Sequence, residues 1–160
     1  IDKLKIEQLK LYFKTIKDEF DNENSVWFKP INEDKFKNQN SIYCYFHVKE
    51  NAASNFRFRL QYINDNLLFI KKVKFIIDNE SYEFKPYEIE INRNNITYEW
   101  FDENIDIYNQ FLIESLSKSK SVIIILIGKN REEVVTVDQN QIQSIKNSLE
   151  LYKAMDGQFY

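Results

Sequence analysis

The 160-residue chain has one cysteine, Cys44, so no intramolecular disulfide and no cysteine metal knuckle can form. It has one histidine, His47, which removes most histidine-dependent metal sites and leaves Cys44 as its only partner for nucleophile chemistry of the Cys–His type. Two glycines, Gly128 and Gly157, exclude a P-loop and a GxGxxG dinucleotide turn. No apolar run approaches the roughly 20 residues that span a bilayer. The longest, Val122 to Ile127, has the length of a strand. Neither charge sign dominates, with 22 basic against 25 acidic residues and a net charge of −3. That balance argues against general capture of nucleic acid or of an anionic membrane.

What is present suffices for a core: 43% of residues are hydrophobic and 16% aromatic. No repeat or low-complexity linker divides the chain, and residues 1–160 are expected to form one domain. Ile1 at the start, with Met155 the sole methionine, gives the expectation that an N-terminal segment has been removed. A signal peptide or lipid anchor would lie upstream of it.

The hydrophobic period predicts the elements. Leu9, Tyr12, Phe13, Ile16 and Phe20 recur at helical steps and predict an N-terminal helix over 2–20. Asp21 to Ser25 reads as a turn, and Val26 to Phe28 as a short strand ended by Pro30. From Ser41 the period becomes two. Ile42, Cys44, Phe46 and Val48 share one face, opposite Tyr43, Tyr45 and His47. Phe56, Phe58, Leu60 and Tyr62 then alternate with Arg57, Arg59 and Gln61. Further strands are predicted over 67–77, 82–84, 89–91, 96–100 and 133–137, mostly joined by Asn/Asp-rich turns. Val122 to Ile127, apolar on both faces, predicts a central strand covered on each side. Two more helices are predicted, one near 104–117 with Asp102 as N-cap and one near 139–155 opened by Asp138 and Gln141. The fold class is α+β: an antiparallel β-meander sheet or β-sandwich with these three helices.

Strand register carries the first functional expectation. A two-residue loop at Asp65-Asn66 would set Phe56 opposite Phe75 and Phe58 opposite Val73. A loop at Asn79-Glu80 would set Phe75 opposite Phe84. On the reverse face Arg57 would meet Lys74, Arg59 would meet Lys72, and Lys74 would meet Lys85. Like charges across a ladder repel. The stripe of Arg57, Arg59, Lys72 and Lys74 therefore either recruits internal carboxylates such as Glu83 or receives an anionic partner.

Other constellations are less specific. Asp102, Asn104 and Asp106 open like a calcium loop, but Ile107 and Ile113 stand where glycine and glutamate are required. Glu99, Asp102 and Glu103 could supply a carboxylate pair for acid–base work. Cys44 reads as a core side chain, His47 as a half-exposed sheet residue, and Trp27 and Trp100 as core or edge aromatics. No catalytic residue, metal or cofactor is assigned.

Phe56-Arg57-Phe58-Arg59-Leu60-Gln61-Tyr62, then Leu67-Leu68-Phe69-Ile70, Asp78 to Tyr82 and Tyr98-Glu99-Trp100-Phe101-Asp102, form a recognisable series. With Leu116 to Lys120, Val137-Asp138-Gln139 and Leu149 to Tyr152, it resembles a family of uncharacterised bacterial proteins, often secreted or lipid-anchored. Its pattern runs LRxRIQYxxDDWLFI, DGKxY, WEWYD, then SKKAxIRxxG and TITxxQKxAL. The likeness spans about residues 26 to 155 and departs from the pattern at Leu67-Leu68, Asn79 and Ile124-Ile125. It implies topology and a place in the cell envelope or outside the cell, with no reaction attached. The leading expectation is a non-enzymatic envelope or secreted domain that binds a protein or an acidic ligand, with membrane contact only through an anchor outside this chain. An intracellular, cytoplasmic inhibitor or immunity-type protein is the alternative. A carboxylate-dependent hydrolase is the third.

Overall fold

The computed structural model describes residues 2–21 and 24–160. Asn22 and Glu23, within the turn expected over 21–25, lie outside the described residues. In chain order the elements are α1 (Lys3–Lys10), β1 (Phe13–Lys17), β2 (Val26–Pro30), α2 (Glu33–Phe36), β3 (Ser41–Lys49), β4 (Ala52–Ile63) and β5 (Lys72–Ile77). Then follow β6 (Glu80–Phe84), β7 (Glu90–Asn92), β8 (Tyr98–Asn104), α3 (Gln110–Ser117), β9 (Val122–Ile127), β10 (Glu132–Thr136) and α4 (Gln139–Ala154). The strands form two antiparallel sheets, ordered β1-β2-β3-β4-β8-β7 and β10-β9-β5-β6. The α+β class holds, with the sheets layered face to face. Phe58 and Phe101 of the larger sheet meet Phe75 and Phe84 of the smaller, with ring centroids 5.2–6.1 Å apart. None of the described helices is long and apolar enough to cross a membrane.

The expected pairing of β4 with β5 does not form. β4 is flanked by β3 and β8, while β5 lies in the other sheet between β9 and β6. Phe58 and Phe75 still meet, but across the core and not along a ladder. Residues 67–71 carry the chain from one sheet to the other, with Phe69 in the left-handed region at φ 56°. The reason is a buried carboxylate: Glu99 accepts hydrogen bonds from the backbone N–H groups of Leu68 (2.8 Å) and Ile70 (2.9 Å). Gly128 sits against the same crossover, where a Cβ would come within 2.2 Å of the Leu68 carbonyl oxygen.

The β5–β6 hairpin forms with a register two residues from the expected one. Its loop is Asp78-Asn79, with φ of 47° and 73°, the pair of positive values that a two-residue hairpin turn favours. Val73 lies opposite Phe84 and Phe75 opposite Tyr82, so face assignment survives while Lys74 meets Glu83 and not Lys85.

Three further expectations need correction. The helix predicted over 2–20 ends at Lys10, because Phe13 to Lys17 pairs with β2 as a strand. Thr15 and Ile16 favour an extended chain, and Phe13 packs on Phe28 and Phe46 at 6.3 and 6.0 Å. The helix predicted from Asn104 begins at Gln110. Asp102 is a β8 residue and caps nothing, while Asp106 forms a turn by accepting from the N–H groups of Tyr108 and Asn109. Finally, β9 is central in pairing but covered on one face only. Val122, Ile124 and Leu126 are buried, whereas Ile123 is 36% exposed and Ile125 and Ile127 are half-buried.

The C-terminal helix opens as expected, with Asp138 accepting from the N–H of Gln141 at 2.9 Å. The Gln141 side chain does not close a capping box. It accepts from the Ile42 N–H at 2.9 Å, and the Ser148 hydroxyl donates to the Cys44 carbonyl at 3.2 Å. β2 pairs with β3 only from Phe46 to Val48, so α4 supplies hydrogen bonds that the ladder leaves open beyond that point.

Candidate functional site

The outward face of the larger sheet is where sequence and structure concentrate polar and aromatic groups. Tyr43, Tyr45 and His47 on β3 alternate with the core-facing Ile42, Cys44 and Phe46, and Arg57, Arg59 and Gln61 do the same on β4. Tyr45 packs edge-on to Trp27 at 5.5 Å and lies beneath Lys29 at 4.9 Å. Arg59 stacks on Trp100 at 4.3 Å and donates to Gln61 at 3.1 Å. His47 Nε2 lies 3.2 Å from Asp18 Oδ2.

Asp102 joins two of these strands. It accepts from Arg57 Nε at 2.8 Å and from the Tyr45 hydroxyl, and its backbone carbonyl takes a second Arg57 bond at 2.5 Å. Burial works to lower the Arg57 pKa, but Asp102 more than offsets it and holds the guanidinium charged. Burial first, and the Asp102 charge second, push the Tyr45 phenol far above its ordinary value. Tyr45 is a neutral donor here, not a nucleophile.

A second knot was not singled out by the sequence. Glu33, 2% exposed, accepts from the Tyr43 hydroxyl at 3.0 Å and pairs with Lys14 (3.4 Å), Lys29 (3.4 Å) and Lys37 (3.8 Å). Burial alone would raise its pKa, but Lys29, Lys37, Tyr43 and Lys14 together bring it below the ordinary carboxylate value. A lowered folded pKa stabilises above the unfolded carboxylate's pKa, and that contribution is lost as pH falls through the folded value. Glu33→Gln, which keeps the shape and an acceptor, is expected to cost about 1–3 kcal/mol at neutral pH, since the lysines remain partly solvated. The deficit should shrink towards zero in acid, as read by urea denaturation at stepped pH.

The four candidate basic residues do not form one stripe. Arg57 and Arg59 lie on the outward face of the larger sheet, and Lys72 and Lys74 on the outward face of the smaller one, with the core between them. Lys72 is 3.7 Å from Glu83, and Lys74 faces Glu83 across the ladder. The like-charge oppositions inferred from the expected register are absent because that register is not adopted.

The carboxylates also separate. Both Glu99 oxygens hold the crossover, Asp102 holds Arg57, and Glu103 accepts from the Tyr87 N–H at the sheet edge. Cys44 is fully buried, and burial pushes its thiol pKa well up. Asp102 and Asn104 are strand residues, and among the described residues no group of histidine, cysteine and carboxylate side chains is arranged to hold a metal ion.

At the β7–β8 edge of the same sheet lies a groove of about 600 Å³ lined by Arg57, Tyr87, Glu88, Glu90, Trp100, Asp102, Glu103, Asn104 and Asp106. Among the described residues Arg57 is the one basic lining residue, and it is engaged by Asp102. Among the described residues none of Glu88, Glu90, Glu103 or Asp106 is in ion-pair contact with a lysine or arginine. Glu103 accepts from the Tyr87 N–H through one oxygen, while its other oxygen is buried without a hydrogen-bond partner. Burial therefore pushes the Glu103 pKa up, only partly countered by that N–H and by Arg57. Tyr87 is fully exposed and Trp100 half-buried. Sequence reading passed over Glu88 and Glu90, though their i, i+2 spacing in Tyr87-Glu88-Ile89-Glu90 was the available signal for two acids on one side of an extended segment.

Set against known proteins, the chain matches no family model, no curated protein and no solved structure.

Proposed function

We propose that this chain is a non-enzymatic binding domain that receives a basic segment of a partner protein in the β7–β8 groove. The carrying observation is the set of four groove carboxylates, Glu88, Glu90, Glu103 and Asp106, which among the described residues form no ion pair with a lysine or arginine and are flanked by Tyr87 and Trp100. Acidic side chains beside an exposed tyrosine ring and a half-buried tryptophan suit lysine and arginine, whose heads pair with carboxylate and whose stems and charge favour aromatic faces. The non-enzymatic part draws support from the engagement of Glu99, Asp102 and Cys44 in structural roles. Placement in the cell envelope or outside the cell belongs to the same proposal and rests on the resemblance of residues 26 to 155. Fractionation of cells making the full-length protein tests it.

Titrating the protein with an oligolysine peptide, followed by calorimetry, is expected to give saturable binding that weakens as salt screens the groove. Reversing Glu88 and Glu90 together to lysine should weaken it about tenfold or more. Binding of oligoglutamate in place of oligolysine, or indifference to the double reversal, would contradict the reading. The inhibitor or immunity-type alternative draws on the same clustered acids, which such a protein would present to a basic enzyme. It differs in requiring that binding abolish the partner's activity.

A further inference from the structure

The two sheets leave four edge strands, and three carry devices against pairing with another chain. β1 carries Lys14 and Lys17, β6 carries Glu80 and Glu83 and runs into Lys85-Pro86, and β7 has only three residues. β10 differs. It pairs with β9 without a bulge, lacks proline and lysine, and after Glu132-Glu133 continues as Val134-Val135-Thr136, all β-branched. Val134 is 64% exposed on the uncovered face beside Ile125, and Thr136 lies beside Ile123.

The phase of the ladder shows which backbone groups that edge offers. The Gly128 N–H donates to the Arg131 carbonyl at 3.0 Å and the Val137 N–H donates to the Val122 carbonyl at 3.3 Å. Antiparallel pairs alternate, so Arg131, Glu133, Val135 and Val137 address β9, while Glu132, Val134 and Thr136 point their N–H and C=O groups outward. Among the described residues nothing bonds to those outward groups.

We propose that two copies of this chain associate β10 to β10, antiparallel about a two-fold axis at Val134. That centre matches the outward phase: Val134 meets its copy, and Glu132 meets Thr136 of the other chain, each exchanging both backbone bonds. On the inward-facing side Glu133 falls opposite Val135, so no like charges oppose. Other arrangements are worse. Parallel in-register pairing stacks Glu132 and Glu133 on their copies, a two-fold at Glu132 sets that acid against itself, and one at Thr136 runs Val134 past the strand end to Asp138. The Val134 centre also brings the Ile123, Ile125 and Val134 patches of both copies together on one face of a continuous sheet, and an isologous contact of this kind closes at two subunits. The self-complementary acid-to-neutral gradient along β10 is what selects a second copy over an unrelated strand.

Sedimentation equilibrium of the full chain over a wide concentration range tests this. The expected result is a reversible dimer, with exchange of the Val134 and Thr136 amide hydrogens slowed as concentration rises. Val134→Lys changes an exposed side chain, and Thr136→Pro removes an N–H that makes no bond to β9. Each should leave the circular dichroism spectrum and Tm of the monomer unchanged and raise the dimer dissociation constant about a hundredfold or more. A wild-type chain that stays monomeric at every soluble concentration overturns the proposal. So does a dimer that both folded variants retain, since it would use another surface.

Discussion

Replacing Glu99 by alanine is expected to cost about 3–5 kcal/mol, a large part of the 5–15 kcal/mol that holds a domain of ordinary stability. Glu99 is 1% exposed, and its two oxygens are the acceptors for the Leu68 and Ile70 N–H groups. Removing the carboxylate leaves two buried donors unpaired, each at about 1–3 kcal/mol, and opens a void. Glu99→Gln should recover only part of the loss, because its single carbonyl oxygen can serve one N–H while its amide hydrogens oppose the other. Aspartate is one methylene too short to serve both. Urea denaturation of the three variants reads these differences. A cost below about 1 kcal/mol for alanine would mean that water replaces the carboxylate and that Glu99 does not hold the crossover.

Phe58→Ala is expected to cost about 3–5 kcal/mol for a different reason. Phe58 is fully buried, and its ring meets Phe75 at 6.0 Å, Phe84 at 6.1 Å and Phe101 at 5.8 Å. With Phe101, which meets Phe84 at 5.2 Å, it joins the two sheets, so truncation removes both apolar burial and ring contacts and leaves a cavity between rigid layers. Phe58→Leu, which refills much of the volume, should cost about 1–2 kcal/mol. If calorimetric Tm values for the two variants were equal, the cavity would be collapsing and the sheets would not be packed as rigid layers.

These two residues also mark how far the sequence could be read. The alternation around Phe58 states that Phe56, Phe58, Leu60 and Tyr62 face a core, and they do. It does not state whether Phe75 meets that face as a ladder neighbour or from an opposing sheet, because period-two patterning is identical in both cases. The deciding group was Glu99, a lone acid between Tyr98 and Trp100 whose role depends on a segment about thirty residues away in sequence. Nothing local reveals that.

At the N-terminus the spacing of Leu9, Phe13 and Ile16 satisfies a helix and does not forbid a strand. The helix-compatible residues Tyr12, Ile16 and Phe20 are 54%, 39% and 98% exposed, and Phe13 gains its burial by joining Phe28 and Phe46 in the sheet. In the β5–β6 hairpin, Asp-Asn was a better turn pair than Asn-Glu, since both loop residues must accept positive φ. One wrong loop was enough to place Lys74 opposite Lys85 instead of Glu83, and with it the supposed basic stripe. The candidate groove was legible only as Glu88, Glu90, Trp100 and Glu103 scattered over two strands and the segment leading into β7. Their common edge depends on β7 pairing outside β8, with Glu90 opposite Trp100.

The binding reading is tested most directly by assigning the amide and indole N–H resonances and titrating with oligolysine, then separately with oligoglutamate. With oligolysine, the signals of Glu88, Glu90, Glu103 and the Trp100 indole are expected to move together and saturate, while those of Lys72 and Lys74 stay in place. Movement of Arg57, Lys72 or Lys74 with oligoglutamate, against a silent β7–β8 edge with oligolysine, would contradict it.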